Sequence, residues 1–269
     1  MLDGVDMRTF ALPLDGYGLS AADSRAEFAA IAQVYEQCMA QFGFAVEPEP
    51  ARAASGWSPN EGRYGIHDTE AARVWGYRIA DDPVPEPQLP YEPPRLPADQ
   101  EAVSFGIAPM VRDGKTVPPG GCSGEASRAM GRQYGRVADA ASSPLMLSDL
   151  LGAETGPLSE ADSRVQAAFR AWSGCMWREG FDYPDPSAAN NDPSFARGPN
   201  AGDQAPSAHE VAVAVADTTC KAATDLIDIR ASVEVAYQNR AIEQNAAALA
   251  IGEREAAWKR QRAAEILQS

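Results

Sequence analysis

Apolar side chains recur at helical spacing in two separate stretches of the chain. They occupy Phe28, Ile31, Tyr35 and Met39 in the first stretch, and Val165, Phe169, Trp172 and Met176 in the second. Steps of three and four residues place such side chains on one face of an α-helix, as in a helix that packs against a core. The pattern therefore predicts two amphipathic helices, the first over about residues 20–42.

The two predicted helices carry the same signature. A block Leu-Ser-x-Ala-Asp-Ser-Arg, at residues 19–25 and again at 158–164, precedes an aromatic residue followed by x-x-Cys-Met-x-x-x-Gly-Phe. Because both blocks match in the same order, we interpret them as two diverged copies of one unit. The predicted organisation is an N-terminal arm at 1–18, a first repeat with a proline-rich insertion at 19–141, a connection at 142–157, and a second repeat with a long C-terminal helix at 158–269.

Polar residues and glycines mark the ends of both helices. Ser20 and Ser159 are followed three residues later by an aspartate, an approximate capping box, so we expect each serine to be the N-cap of its helix. Gly43 and Gly180 stand where a left-handed C-terminal cap is expected, and the phenylalanine after each glycine is placed to pack on the last helical turn.

The C-terminal part of the chain predicts one long helix, from Cys220 to near Leu267. Apolar residues recur on helical steps and no proline interrupts them. Gly252 is its weakest position. A small domain cannot cover the whole length of such a helix. We therefore expect the helix either to fold back at Gly252 or to contact a partner with its distal half.

Proline and glycine predict long loops between the helices. Residues 45–65 and 187–206 are rich in residues that favour loops, and residues 83–97 contain seven prolines. The proline run favours an extended polyproline segment, which we interpret as a spacer rather than a docking ligand for another domain. Shorter helices are predicted at residues 67–76 and about 123–139.

Four cysteines, Cys38, Cys122, Cys175 and Cys220, fall two to each repeat. The simplest pairing is Cys38–Cys122 and Cys175–Cys220, although four cysteines allow three connectivities. A zinc site is disfavoured because no Cys-x-x-Cys pair or nearby histidine is present. Four reduced thiols in a cytosolic protein remain an alternative. The disulfide interpretation implies an oxidising compartment.

The composition supports a mainly α fold: two diverged helical repeats with long Pro/Gly-rich loops and a long C-terminal helix, linked by disulfides. The apolar fraction is 45%, enough for sizeable cores, and alanine dominates it. The net charge is −15 and the pI about 4.5. Because a phosphate backbone requires a basic patch, nucleic acid and anionic membranes are disfavoured as partners.

No segment of the sequence predicts a membrane span or an export signal. No stretch approaches the roughly 18 consecutive apolar residues that a transmembrane helix needs. The first residues lack the basic and apolar regions of a signal peptide, which fits a cytoplasmic protein or a mature secreted chain. The cysteines favour the second, so we expect an extracytoplasmic protein, secreted or anchored to the envelope.

Residues with catalytic chemistry are few and scattered. The two histidines, His67 and His209, are expected at helix starts as surface or capping residues. The sequence contains no Gly-x-Ser-x-Gly elbow, dinucleotide fingerprint or Walker loop. Calcium is disfavoured because the oxygen-bearing cluster does not have the spacing of an EF-hand; the cluster is Asp182, Asp185, Asn190, Asn191 and Asp192. We therefore predict no catalytic residue, no cofactor and no metal.

Five motifs, within a region from about Tyr35 to Asn245, carry a family resemblance. They are Arg63-Tyr64-Gly65-Ile66, Ala71-Ala72-Arg73-Val74-Trp75-Gly76-Tyr77, Gly121-Cys122-Ser123-Gly124-Glu125-Ala126, Trp172-x-x-Cys175-Met176 and Ala216-Asp217-Thr218-Thr219-Cys220-Lys221. Together they resemble a group of uncharacterised exported proteins of high-GC Gram-positive bacteria, many of them secreted or lipoprotein-like. The resemblance implies an envelope location and no particular activity. The chain departs from the usual form at its start, where no lipobox is present.

Three functional hypotheses follow. The first is a non-enzymatic extracytoplasmic binding or scaffold protein, accessory to a cell-envelope or transporter complex, with a protein partner or self-assembly through the C-terminal helix. The second is a structural subunit of an extracellular assembly or filament. The third is a hydrolase with a site between the two halves, by analogy with other duplicated folds.

Overall fold

A computed structural model describes residues 2–46, 60–78, 96–107, 111–112, 114–131, 143–195 and 205–269. The helices are α1 (Ala21–Gln41), α2 (Thr69–Trp75), α3 (Ala98–Phe105), α4 (Gly121–Ala129), α5 (Leu147–Glu160), α6 (Ser163–Arg178), α7 (Pro186–Asn190), α8 (Ala208–Ala223) and α9 (Leu226–Leu267). Strands β1 (Val111–Arg112) and β2 (Lys115–Thr116) form a short antiparallel pair. The 3₁₀ turns are Pro13–Tyr17, Pro144–Met146 and Pro193–Phe195. The fold is mainly α-helical with a long C-terminal helix, as predicted; the duplication stays a prediction.

The chain forms two compact units, each assembled from three stretches. Unit 1 comprises Met1–Pro13, Ala54–Tyr91 and Leu151–Glu243, and unit 2 comprises Leu14–Ala53, Glu92–Leu150 and Gln244–Ser269. The disulfide Cys175–Cys220 lies in unit 1 and Cys38–Cys122 lies in unit 2. Both predicted disulfides are therefore confirmed, and each unit contains one signature helix. The boundaries of the sequence repeats are a different division of the chain and stay a prediction.

The core of unit 1 is built on the apolar face of α6. Val165, Phe169, Trp172 and Met176 are all buried, as their spacing predicts, and pack with Val213 of α8 and Val233 of α9. Burial of each large apolar side chain contributes about 1.5–3 kcal/mol. This stripe and the Cys175–Cys220 bond fix α6 against α8.

The N-terminal residues of unit 1 pack along α9. The backbone N–H groups of Gly4 and Val5 donate to the Asp228 carboxylate over 2.8 and 2.9 Å. Met7 is buried beside Tyr64. The first part of the predicted N-terminal arm is thus anchored to unit 1, and Pro13–Tyr17 near its end forms a 3₁₀ turn.

The core of unit 2 joins α1, α3 and α4. Met39 and Phe42 pack with Val103 around the Cys38–Cys122 disulfide. The start of α4 approaches the end of α3 so closely that a Cβ at Gly121 would lie 2.3 Å from the Ser104 carbonyl oxygen. The glycine in this motif therefore has a packing role.

Helix α9 continues through Gly252, so the predicted fold-back is wrong. A Cβ at Gly252 would lie 2.6 Å from the Pro144 carbonyl oxygen, and glycine permits this close approach. The unit 2 part of α9 buries Leu249, Ala256, Ala263 and Ile266. The chain itself covers this apolar stripe, and a partner or self-assembly through the helix stays a prediction.

Both signature helices end as predicted. The Gly43 N–H donates to the Ala40 carbonyl and the Phe44 N–H to the Met39 carbonyl. The Gly180 and Phe181 N–H groups make the corresponding bonds at the end of α6. Gly43 and Gly180 have positive φ, at 80° and 92°, which is the conformation that this cap requires.

The predicted N-cap is correct for α1 and wrong for α6. Ser20 caps α1 through a capping box completed by Asp23. Ser159 lies inside α5, where its hydroxyl donates to the Gly156 carbonyl, and Asp162 is the N-cap of α6. The predicted cap at Ser159 is wrong because α5 runs through Pro157 and ends only at Glu160.

The apolar stripe predicted on α1 is wrong at Phe28, which is 63% exposed. The neighbouring Glu27 is buried instead, because the Lys259 ammonium donates to its carboxylate over 2.7 Å. A buried ion pair therefore takes the place of the predicted apolar contact. As a result, the side of α1 that packs against α9 differs from the predicted one.

Several element bounds differ from the predictions. The predicted helix at 123–139 begins at Gly121 and ends at Ala129. The predicted connection at 142–157 contains most of α5, which ends at Glu160, and the first predicted repeat contains α3 before Cys122. The helix predicted from Cys220 onward is interrupted at Asp225, whose φ of 50° separates α8 from α9.

Some predictions fall outside the described residues. They are most of the proline run at 83–97, much of the loops at 45–65 and 187–206, and the end of the helix predicted at 123–139. Within the part of the chain that the structure describes, no helix is long and apolar enough to span a membrane.

Candidate functional site

Residues 60–78 form one wall of a cavity in unit 1. Asp68 caps α2 by accepting from two backbone N–H groups of its first turn. Gly76 ends α2 with a φ of 61°, and a Cβ there would lie 2.7 Å from a carboxylate oxygen of Glu210. The buried Glu210 also accepts a long hydrogen bond of 3.4 Å from the Tyr77 N–H. The segment is therefore held against α8.

A second anchor joins this wall to α9. The Arg63 Nε donates to the Glu234 carboxylate over 2.9 Å, and the Tyr64 hydroxyl donates to the other oxygen over 2.9 Å. Burial and the adjacent Glu234 raise the pKa of Tyr64 far above its ordinary value of 10. The phenol therefore stays a hydrogen-bond donor at any physiological pH.

A buried ion pair within α8 is the third anchor. The Lys221 ammonium donates to the Asp217 carboxylate and to the Ile66 carbonyl, each over 2.9 Å. The Trp172 indole N–H donates to the other carboxylate oxygen over 2.9 Å. Burial raises the pKa of Asp217 and lowers that of Lys221, while the attraction within the pair opposes both shifts. The network ties α6, α8 and the wall segment together.

Arg230 of α9 lies against two aromatic rings. Its guanidinium carbon is 4.9 Å from the centre of the Tyr64 ring and 5.3 Å from that of Phe169. Its Nη2 donates to Glu160 over 3.3 Å. Only 17% of the side chain is exposed, and this burial lowers the pKa of Arg230. Such contacts with ring faces hold a guanidinium in a fixed position.

These anchors surround a cavity of about 670 Å³. Its walls include Tyr64, Tyr77 and Phe169, the charged residues described below, and Ser187, Asn190 and Asn191 from the region of α7. The volume falls in the range of small-molecule sites, which combine aromatic surface with a few placed polar groups. The walls come from the predicted N-terminal arm and from both predicted repeats, and all of them belong to unit 1.

The charge of the cavity differs from that of the chain. Five basic residues line it, namely Arg8, Arg63, Arg78, Lys221 and Arg230, against four acidic ones, namely Glu61, Asp68, Glu160 and Asp185. The whole chain has 23 basic and 38 acidic residues. The lining is thus richer in basic residues than the chain as a whole, although Arg63 and Lys221 are paired with Glu234 and Asp217 outside the lining.

The two histidines have different positions. His209 is exposed in the first turn of α8, as predicted, beside the rings of Phe181 and Phe195. His67 precedes the N-cap of α2, is half-buried and lines the cavity. It is therefore a candidate ligand contact as well as a residue at a helix start.

The acidic cluster considered for calcium has structural roles. Asp185 caps α7 by accepting from the Ala188 N–H over 2.9 Å. Asp192 accepts from the Tyr183 hydroxyl, and burial together with this contact raises the pKa of Tyr183 to about 12. Among the described residues, no group of three or more histidine, cysteine, aspartate and glutamate side chains is placed to hold a metal ion.

Sequence analysis did not single out Arg230 or Glu234 as site residues. Three of its motifs nevertheless meet at the cavity: those containing Arg63, Tyr77 and Lys221. One signal was available, because Asp217 and Lys221 stand four residues apart on an otherwise apolar helical face. Charges on a buried face indicate either an ion pair or a site.

Comparison of the chain with known protein families, with curated proteins and with solved structures finds no match in any of the three.

Proposed function

We propose that this protein is a non-enzymatic binding protein that works outside the cytoplasm and holds a small organic molecule in the cavity of unit 1. The observation that carries the proposal is the cavity itself: about 670 Å³, lined by three aromatic rings and by charged side chains that buried hydrogen bonds hold in place. Prearranged walls of this kind lower the ordering cost of binding.

The proposed location rests on the cysteines. Both pairs form disulfides, and Cys122 and Cys220 are completely buried. Structural disulfides of this kind persist in oxidising compartments such as the bacterial envelope. The resemblance to exported proteins points in the same direction. A role as an accessory to a cell-envelope or transporter complex fits a protein that binds a solute there.

Binding is a better account of the cavity than hydrolysis. Asp68 and Asp185 cap helices, and Glu160 pairs with Arg230. Acid–base catalysis needs a carboxylate that is available to a substrate proton. These three acidic side chains of the walls already have structural partners, so the hydrolase hypothesis gains no support from them.

A fragment screen tests the proposal. Ligand-observed NMR with a library of small organic molecules should give hits on the wild-type protein. Asn190→Trp places an indole at the cavity and should abolish most hits. Asn239→Trp makes the same change at an exposed position of α9 that does not line the cavity, and should leave them intact. Absence of hits, or hits that survive Asn190→Trp unchanged, would overturn the proposal.

A further inference from the structure

The guanidinium of Arg230 is buried with most of its donors unused by the described part of the chain. A guanidinium has five N–H donors. Here it makes one hydrogen bond, to Glu160, at the long distance of 3.3 Å. Glu160 is itself about half exposed, so it is a weak partner. Burial of a cation with so few hydrogen bonds is costly unless something else meets it.

The side chain is nevertheless held in place and lines the cavity. Contacts with Tyr64 and Phe169 fix its position, and the cavity is in contact with all three residues. The planar fork of an arginine matches the two oxygens of a carboxylate, and such bonds are about twice as strong as neutral ones. Arg230 is therefore prepared to receive an oxyanion.

A second buried cation lines the same cavity. The Lys221 side chain is 2% exposed, and it uses two of its three donors on Asp217 and Ile66. Arg230 is close enough for its charge to oppose that of Lys221. Gly65 lacks the Cβ that would lie 2.9 Å from the Lys221 Nζ, so the backbone leaves room around the ammonium.

We infer that the cavity binds an organic monocarboxylate with an apolar, flat body, and that Arg230 is the residue that receives the carboxylate. This inference rests on the function proposed above. The three aromatic rings of the walls suit the body of such a ligand. Arg63 and Lys221 already pair with Glu234 and Asp217. A single guanidinium with one weak carboxylate partner matches a monoanion better than a phosphate dianion.

The test is titration calorimetry with four probes: 4-phenylbutyrate, 4-phenylbutanol, 4-phenylbutylamine and phenyl phosphate. The first three have the same body and differ in the charge of one end. The inference predicts that the carboxylate binds at least ten times more tightly than the alcohol, the amine or the phosphate. Equal binding of the first three, or preference for the phosphate, would overturn the inference.

A variant of Arg230 tests whether this residue causes the preference for the carboxylate. Arg230→Met should weaken binding of 4-phenylbutyrate at least tenfold and leave that of the alcohol unchanged. Arg240→Met, at an exposed position on the same helix, is the matched control and should have no effect. An Arg230→Met protein that folds, by circular dichroism, and binds the carboxylate like wild type contradicts the inference.

A second variant, Glu160→Gln, tests the inference even if Arg230→Met does not fold. It removes the carboxylate that competes for the guanidinium, at a half-exposed side chain, so binding of 4-phenylbutyrate should become tighter. Weaker or unchanged binding would count against the inference. Should no probe bind while the fragment screen still gives cavity hits, the inference fails and the proposed function stands; should both give nothing, both fail.

Discussion

The Lys221 ammonium lies 2.9 Å from the Asp217 carboxylate inside unit 1, and both side chains are almost completely buried. The pair stands one helical turn apart on α8, at the back of the cavity. Because each charge compensates the other away from water, neither residue is dispensable alone. The wall segment at 60–78 depends on the pair through the Ile66 carbonyl.

Removal of one partner should destabilise the protein strongly. We expect Asp217→Asn or Lys221→Met each to lower the free energy of unfolding by about 3–5 kcal/mol, because the remaining charge is left buried and unpaired. The double variant Asp217→Leu/Lys221→Met should cost clearly less than the sum. Urea denaturation measures all three, and strictly additive losses would contradict the account.

The disulfides should stabilise each unit by a similar amount. The bonds Cys175–Cys220 and Cys38–Cys122 close loops of 45 and 84 residues. In the chain-entropy view, each removal costs about 4 kcal/mol, slightly more for the longer loop. Replacement of each pair by alanines, followed by urea denaturation, checks the estimate. Variants that unfold at the same urea concentration as the wild type would refute it.

Substitution of Gly65 should destabilise the protein, whereas substitution of Gly62 should not. Gly65 has a φ of 79°, and its missing Cβ would lie 2.9 Å from the Lys221 Nζ. We expect Gly65→Ala to cost about 1–3 kcal/mol of unfolding free energy through backbone strain. Gly62→Ala meets no atom within 4 Å and serves as the matched control. Equal melting temperatures for the two variants would be the contrary result.

Because Asp68 caps α2 as a carboxylate, the stability of the fold should depend on pH. Hydrogen bonds from the Ala71 and Glu70 N–H groups lower the pKa of Asp68 below its ordinary value of 3.8. A lowered pKa means that the ionised carboxylate stabilises the fold above that value and that this stability is lost as the pH falls.

The variant Asp68→Asn keeps a side chain that can cap a helix but does not titrate. Its melting temperature should lie below that of the wild type at pH 6. The difference should shrink as the pH falls below 3.8. Thermal denaturation followed by circular dichroism at several pH values measures it. A difference that stays constant into acid would show that the carboxylate charge has no such role.

Local patterns predicted those elements that local interactions determine. The α1 cap at Ser20, the glycine ends at Gly43 and Gly180, and the buried stripe of α6 follow from residues within a few positions of one another. Both disulfides were also predicted, because two of the four cysteines fall in each predicted repeat.

Two of the failed predictions trace to contacts between residues distant in sequence. Glu27 is buried in place of Phe28 because Lys259, far along the chain, reaches it. Gly252 is a point of close approach to Pro144 rather than a break. No local sequence pattern predicts either contact.

The cavity was the least predictable part. Arg63 and Glu234 are 171 residues apart, and Tyr64 and Arg230, which are in contact, are almost as far apart in the sequence. A single sequence shows such residues as ordinary surface charges on a helix or in a loop. Their burial, and the aromatic rings around Arg230, became evident only from the folded arrangement.

The most direct test of the central claim is a map of fragment binding on backbone amide resonances. Hits from the fragment screen, added to isotope-labelled protein, should shift the amides of residues 61–78 and 185–191 and the Arg230 side-chain resonance. Shifts confined to the exposed groove lined by Val211 and Val215 of α8, or spread evenly over the chain, would contradict ligand binding in the cavity beside Arg230.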